Sequence, residues 1–582
     1  MSFDLKIVGG TIVDGTGAPR RKANIGIKGG RIVEVGECND SATETIDATG
    51  AIVTPGFVDI HTHYDGQVSW DADLAPSSLH GVTTAVMGSC GVGFAPVRES
   101  DRTRLIELME GVEDIPGTAL AEGIPWGWET FPEYMQAVDF PHAIDFGLMA
   151  THDALRVYVM GDRALANEVA TDEDIAKMKA LVADAVRAGA FGFSTGRSDN
   201  HRAKDGSATP ASEASARELS GIASAFKDLD HGVLQAVSDF DLSDESFDRE
   251  FDLIEGMAKA GGGHNMSISV MQRDNVANQW KQIIERCEAA EKQGIKIHMQ
   301  VAARAIGVLL GLEATFHPFM GFPSYKAISH LPLEERVKTM RDPAFRERIL
   351  QEKTEKVAGD GSPIPPLADM LLANLEFVTL KLFRLGEHPD YEPKLEDSLY
   401  YEGRKQGKSS LETVYDALLE SDGKELLYFP LYNYIDFDLN NVSTMLHHPL
   451  SLPGLSDGGA HVGTICDASF PTFMLTHWAR DRKTGGFELE EVIRMLCQDT
   501  ARFVGLKDRG NIAVGQRADL NIIDFENLRL LRPRLVEDLP AGGRRLLQDA
   551  EGYRATIVSG QVIAKDGKLT GALPGRLVRA GH

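Results

Sequence analysis

The residues of this chain best equipped for chemistry are His61 and His63, which close the segment TPGFVDIHTH at 54–63. Side chains two apart on a β-strand project from the same face, so both imidazoles can converge on one ion at the tip of this apolar run. Half a metal site is thereby written into ten residues, and a metal-dependent enzyme is the leading reading. Two surface histidines after a strand would look the same in isolation; their context decides. Of the five cysteines, Cys38, Cys90, Cys287, Cys466 and Cys497, only Cys90 has a chemical setting, the stretch GSCGVG at 88–93. Glycines there let backbone approach an ion or ligand closely.

Positioning such groups requires a scaffold. The first fifty residues read as short strands broken by glycine turns, and the last seventy or so have the same character. Because termini often lie close together in space, the two ends are expected to form one composite β-sandwich. The middle alternates apolar runs with helical patterns, the signature of parallel βαβ units. Runs at 52–60, 83–87, 145–150, 190–194, 232–236, 266–270, 295–300 and 450–455 supply eight strands, which predicts an α/β fold built on a TIM-like (β/α)8 barrel. The expected layout is 1–54 for the first part of the sandwich, 55–505 for the barrel and 506–582 for the second part. Between 324 and 421 the strand signal weakens and charge rises, which predicts a helical insertion near the barrel mouth.

Bulk composition narrows the function classes. With 582 residues, 43% hydrophobic and 25% charged, the chain is an ordinary globular one with no apolar run of membrane-spanning length. A formal net charge of -26 argues against a nucleic-acid partner, since affinity for phosphate backbones comes from clustered Lys and Arg. Few, widely spaced cysteines suit a reducing compartment, and the N-terminus lacks a signal-peptide pattern, so a cytoplasmic location is expected.

Several segments together resemble the metal-dependent amidohydrolase superfamily, and within it the N-acyl-D-amino-acid deacylase (D-aminoacylase) group. They are IVDGTG at 12–17, PGFVDIHTHYD at 55–65, GVTTAVMGSCGVGFAP at 81–96, LMEGVEDIP at 108–116, GFSTG at 192–196, SDG at 456–458 and TGALPGR at 570–576. The resemblance implies a distorted barrel with a flanking sandwich, its active site at the C-terminal ends of the strands. His61 and His63 would follow the first strand, Cys90 the second and Asp457 the last. It further implies that Cys90 is a metal ligand and that Asp457 binds the metal and serves as general base and acid. A bound Zn2+ would activate water and polarise the scissile carbonyl.

The sequence also departs from that family. The deacylase group carries histidines after the fifth and sixth strands, whereas GVLQAVSD at 232–239 and MSISVMQ at 266–272 have none, leaving Gln235, Asp239 or Gln272 as the available substitutes. His61, His63, Cys90 and Asp457 still suffice for one catalytic zinc or another divalent ion per chain. His298 and His461 are spare imidazoles. For substrate binding, the resemblance points to His152 as a donor to the carbonyl, and to Arg197, Asp199 and His201 in the pocket loop, with Arg197 able to grip a carboxylate bidentately. The expected activity is hydrolysis of a small-molecule amide, non-peptide or D-configured, of the N-acyl-amino-acid type. The alternatives are another C-N or ester bond such as a cyclic amide, or a barrel that has lost its metal and acts as a binding scaffold. No membrane partner is expected, and a homo-oligomer is left open.

Overall fold

The computed structural model describes residues 2–240, 244–359 and 364–581. Eight parallel strands pair in chain order and curl into a TIM-like barrel: β1 (Phe57–Thr62), β2 (Val82–Met87), β3 (Asp145–Thr151), β4 (Gly192–Arg197), β5 (Val233–Ser238), β6 (Met266–Val270), β7 (Ile297–Val301) and β8 (Ser451–Pro453). Every residue of β1, β2 and β3 is buried, as expected of parallel strands covered on both faces. The ends of the sheet meet just past β8, where Thr62 bridges Gly458 in the parallel sense and the His63 amide donates to the Gly458 carbonyl at 2.8 Å.

The apolar run expected as one strand over 52–60 is two. Ile52–Pro55 pairs antiparallel with Leu520–Ile523 outside the barrel, and β1 begins at Phe57. Gly56 makes the step between them, since a Cβ there would lie 2.1 Å from Thr83 Oγ1. Ile52–Pro55 thus belongs to a seven-stranded sheet that draws Thr11–Ile12 and Arg21–Lys22 from one chain end, and Leu520–Ile523, Tyr553–Val558, Gln561–Lys565 and Lys568–Leu569 from the other. A four-stranded sheet of Phe3–Val8, Asn24–Lys28, Arg31–Gly36 and Ala42–Asp47 contributes Leu5, Ile7, Ile25 and Ile27 to one apolar cluster with Val53, Leu520, Ile522 and Ile557. Burial of these aliphatic side chains is what joins the two chain ends.

At the entry of β3, Asp145 accepts from Arg509 at 2.7 Å and pairs with Arg517 at 2.9 Å, and Arg517 also pairs with Asp519 at 3.1 Å. All four side chains are buried, so charge balance is obligatory there.

Between β7 and β8 the chain makes a long excursion. Helices such as Leu333–Met340, Pro343–Gln351, Pro366–Ala373, Leu375–Leu380 and Ser410–Leu418 fill it, with their own apolar cluster around Phe319, Leu382, Tyr415 and Leu427. Within the helical insertion expected over 324–421, of which 360–363 lie outside the described residues, the short strand Phe383–Arg384 joins a three-stranded antiparallel sheet whose other strands flank the segment. Gly307–Leu310 pairs with Leu427–Pro430, which pairs with Phe383–Arg384, so partners distant in sequence frame the helices. Lys381, only 3% exposed, fastens the excursion to the loop after β6 through Asp274 at 2.7 Å. Among the described residues, no helix is long and apolar enough to cross a membrane.

Candidate metal centre

Strand geometry delivers the donors. His61 lies at the C-terminal end of β1 and His63 just beyond it; Cys90 sits in the turn after β2, and Asp457 follows β8. The ligand atoms of His61, His63 and Cys90 lie within 4.8 Å of one another, and all three residues are buried. His61 Nε2 is 3.3 Å from Cys90 Sγ and 3.2 Å from Asp457 Oδ1, and His63 Nε2 is 3.6 Å from the same carboxylate oxygen. Cys90 and Asp457 hold positive φ, 58° and 50°, as does His461 at 48°. Left-handed backbone at three non-glycine residues costs about 1 to 3 kcal/mol each, and such outliers cluster at functional sites.

The tautomer of His61 follows from its neighbours. Gln300 Nε2 donates to Ser267 Oγ at 2.9 Å, which aims Gln300 Oε1 at His61 Nδ1, 2.6 Å away. An amide oxygen only accepts, so Nδ1 carries the hydrogen and the Nε2 lone pair faces Cys90 and Asp457. Burial depresses His61 to about 4, which keeps it neutral. A lone pair, a thiol and a carboxylate oxygen thus converge, the donor set of a divalent ion.

His63 and Glu113 complete the electrostatics. Glu113, the last residue of the helix Arg102–Glu113, is 1% exposed and places Oε1 3.1 Å from His63 Nδ1, while its Oε2 is 3.7 Å from His461 Nε2. Burial opposes protonation of His63, but Glu113 and Asp457 outweigh it and raise its pKa well above the usual value. Burial likewise opposes ionisation of Asp457, yet the hydrogen bond from His63 and the nearby imidazoles hold its carboxyl well below the ordinary range. Cys90 is pushed up to about 11 by burial. A metal ion reverses that preference by stabilising the thiolate directly. Among the described residues, His63 Nδ1 and both Glu113 oxygens lack well-aligned hydrogen bonds, and with Asp457 beside them the residues fit a cation.

The other residues marked in the sequence divide. His201 is half-buried near this cluster, where desolvation lowers its pKa and Glu113 opposes that shift. His152 is fully buried, with Nδ1 on Thr195 Oγ1 at 2.8 Å and Nε2 on Glu218 at 3.1 Å, so neither ring nitrogen is offered to the mouth. Arg197 turns its fork to Glu250, 2.5 and 3.0 Å away, so an internal carboxylate takes the place expected for a substrate's. Asp199 lies with Arg197, Ser215 and Ser238 on a polar cleft. His298 packs against Phe503, apart from the ligands. Asp239 accepts from Ser198 and from the Asp199 amide, and Gln272 donates to Asp436. Gln235 accepts from the Cys90 amide at 3.1 Å, and its buried Nε2 has no hydrogen-bond partner among the described residues.

Glu113 and Gln300 escape a reading from spacing alone. Glu113 ends a charged helical stretch, and Gln300 is one polar residue in a strand; the signal for Glu113 was its place in LMEGVEDIP.

A curled sheet of eight parallel strands with an HxH pair on the first defines a metal-dependent barrel hydrolase, and comparison with known sequences places it. The chain belongs to the amidohydrolase family, whose profile matches residues 44–361 and 404–564. It is 27% identical to the D-aminoacylase of Alcaligenes xylosoxydans xylosoxydans over 582 residues, covering 99% of this chain and 97% of that one. Among solved structures it is similar to a D-aminoacylase studied for its binuclear metal center, at 24% identity and TM-score 0.63, covering 99% of this chain and 100% of that one. It is likewise similar to the N-acyl-D-glutamate deacylase of Bordetella bronchiseptica complexed with zinc and a phosphonate inhibitor, at 22% identity and TM-score 0.63, with both chains fully covered. At such identity these structures establish the shared fold.

Proposed function

We propose that this chain is a metal-dependent hydrolase of N-acyl-amino-acid amides, D-configured ones included, with one Zn2+ held by His61, His63, Cys90 and Asp457. The observation that carries this reading is the convergence of three buried donors within 4.8 Å, with Asp457 Oδ1 3.2 Å from His61 Nε2. When bound, the ion supplies Lewis acidity, easing deprotonation of water and polarising the carbonyl. Asp457, kept ionised by the imidazoles around it, takes the proton of the attacking water and returns it to the leaving nitrogen. Gln235 Nε2, a buried donor without a protein partner, is positioned beside Cys90 to hydrogen-bond the carbonyl oxygen as negative charge develops. Glu113, 3.1 Å from His63 Nδ1, is its charge partner, and Gln300 orients His61. The D-aminoacylase and deacylase names of the similar proteins supply the substrate class. The scaffold alternative has less support, because a barrel without a metal has no use for these converging donors.

On the same footing we read the two sheets that share the terminal apolar cluster as one β-sandwich made from 1–54 and 506–582, flanking a barrel over 55–505.

Metal analysis of protein purified without chelator, with His61→Ala and Cys90→Ala beside the wild type, tests the centre. About one zinc per chain in the wild type, lost in both variants, together with release of D-amino acids from N-acetyl-D-amino acids, supports the reading. Two ions per chain would mean that further residues join the ligands. No metal, and no activity on adding Zn2+, would overturn the proposal.

A further inference from the structure

A cavity of about 240 Å³ lies between the segment around Glu113 and the excursion after β7. Val308, Leu310, Leu367, Leu371, Leu372 and Leu375 form much of its wall, and His461 stands at the wall as well. Since His461 Nε2 is 3.7 Å from Glu113 and Glu113 is 3.1 Å from His63, two side chains, His461 and Glu113, link the cavity wall to a metal ligand. The two helices that supply the leucines also carry Met370 and Phe377, 57% and 53% exposed. A surface helix normally confines its apolar residues to one stripe. Here they line the cavity and face solvent, as suits a wall past which an apolar group travels.

On the hydrolase reading above, we infer that the acyl half of the substrate is a hydrocarbon chain that occupies this cavity. An amino-acid half brings a carboxylate, and apart from His461 the described residues of the wall offer no basic side chain to receive one; the acyl half brings no charge. An apolar cavity of about 150 Å³ holds benzene, so by the same scale 240 Å³ holds roughly eight to ten carbons. The excursion thereby sets the substrate class, an amphiphilic N-acyl-amino acid of medium chain length.

The experiment measures kcat/KM of the zinc-loaded enzyme for one D-amino acid carrying acetyl, butanoyl, hexanoyl, octanoyl and dodecanoyl groups. The expected result is a rise of about threefold to fourfold per methylene, levelling once the cavity is full. Ala368→Trp, which fills the cavity, and separately Leu371→Glu, which charges it, flatten the slope. A wild-type profile that is flat or falls with chain length overturns the inference while leaving the hydrolase reading intact. If no amide is cleaved, the hydrolase reading fails, and calorimetric titration with octanoate decides the cavity by itself. Binding weakened tenfold or more in both variants supports a hydrocarbon site; no binding to the wild type refutes it.

Discussion

Gln300→Leu isolates the device that sets the His61 tautomer. In the wild type, Gln300 Oε1 lies 2.6 Å from His61 Nδ1 and the amide is anchored by Ser267 at 2.9 Å. Leucine keeps the volume but removes the acceptor, so the imidazole can carry its hydrogen on Nε2, the nitrogen that must coordinate. The buried Nδ1 hydrogen also loses its partner, worth about 1 to 3 kcal/mol in an apolar setting. Removing an outer partner of a metal-bound histidine typically weakens the ion by about 10- to 100-fold, or 1.4 to 2.8 kcal/mol at 1.4 per decade. Competition with a chromophoric zinc chelator reads that change directly. Activity at saturating zinc should recover to within a few-fold, because Asp457 is untouched, and Ser267→Ala should produce a smaller loss of affinity. If Gln300→Leu binds zinc as tightly as the wild type, the tautomer argument is wrong and His61 is oriented by something else.

Further expectations follow from the same geometry. Asp457→Asn should lower kcat by about 100- to 10,000-fold with the fold unchanged by circular dichroism, the usual range for removing a general base. Glu113→Gln should weaken zinc about 10- to 100-fold through His63, measured in the same chelator titration. Asp145→Ala removes one carboxylate from two buried arginines that keep Asp519 and Asp508 as partners, and should cost about 1 to 3 kcal/mol of stability in urea unfolding. Burial holds His80 at about 4 and His317 at about 3 in the folded state. Both lie below the unfolded value near 6.5, so their contribution is fully present above pH 6.5 and is lost as pH falls toward 4 and 3. His80→Gln should therefore lose less stability than the wild type as pH falls from 7 to 5, read as the difference between their urea midpoints at the two pH values.

What the sequence made legible follows from burial on both faces. Strands covered by helices become near-continuous apolar runs, which is why the eight barrel strands stand out and why the residues at their ends draw notice. His61, His63, Cys90 and Asp457 are legible because each follows such a run. Glu113 is not, because an acidic residue at the end of a charged helix looks solvated until the fold buries it. His152 and Arg197 also follow strands, but their partners Glu218 and Glu250 lie 66 and 53 residues onward, and no local pattern announces an internal carboxylate. The excursion's sheet was hidden for a similar reason, since Gly307–Leu310 finds its partner only at Leu427–Pro430.

The pairing of Ile52–Pro55 with Leu520–Ile523 has a consequence for how the protein is made. Closing so long a loop adds little entropy cost, because that cost grows only with the logarithm of length. Time is the greater constraint. During synthesis the early strands emerge with one edge bare and wait for partners that leave the ribosome almost last, and an unpaired apolar edge is a template for aggregation. The finished pairing of Ile52–Pro55 with Leu520–Ile523 thus covers an edge that stays bare through most of the chain between them.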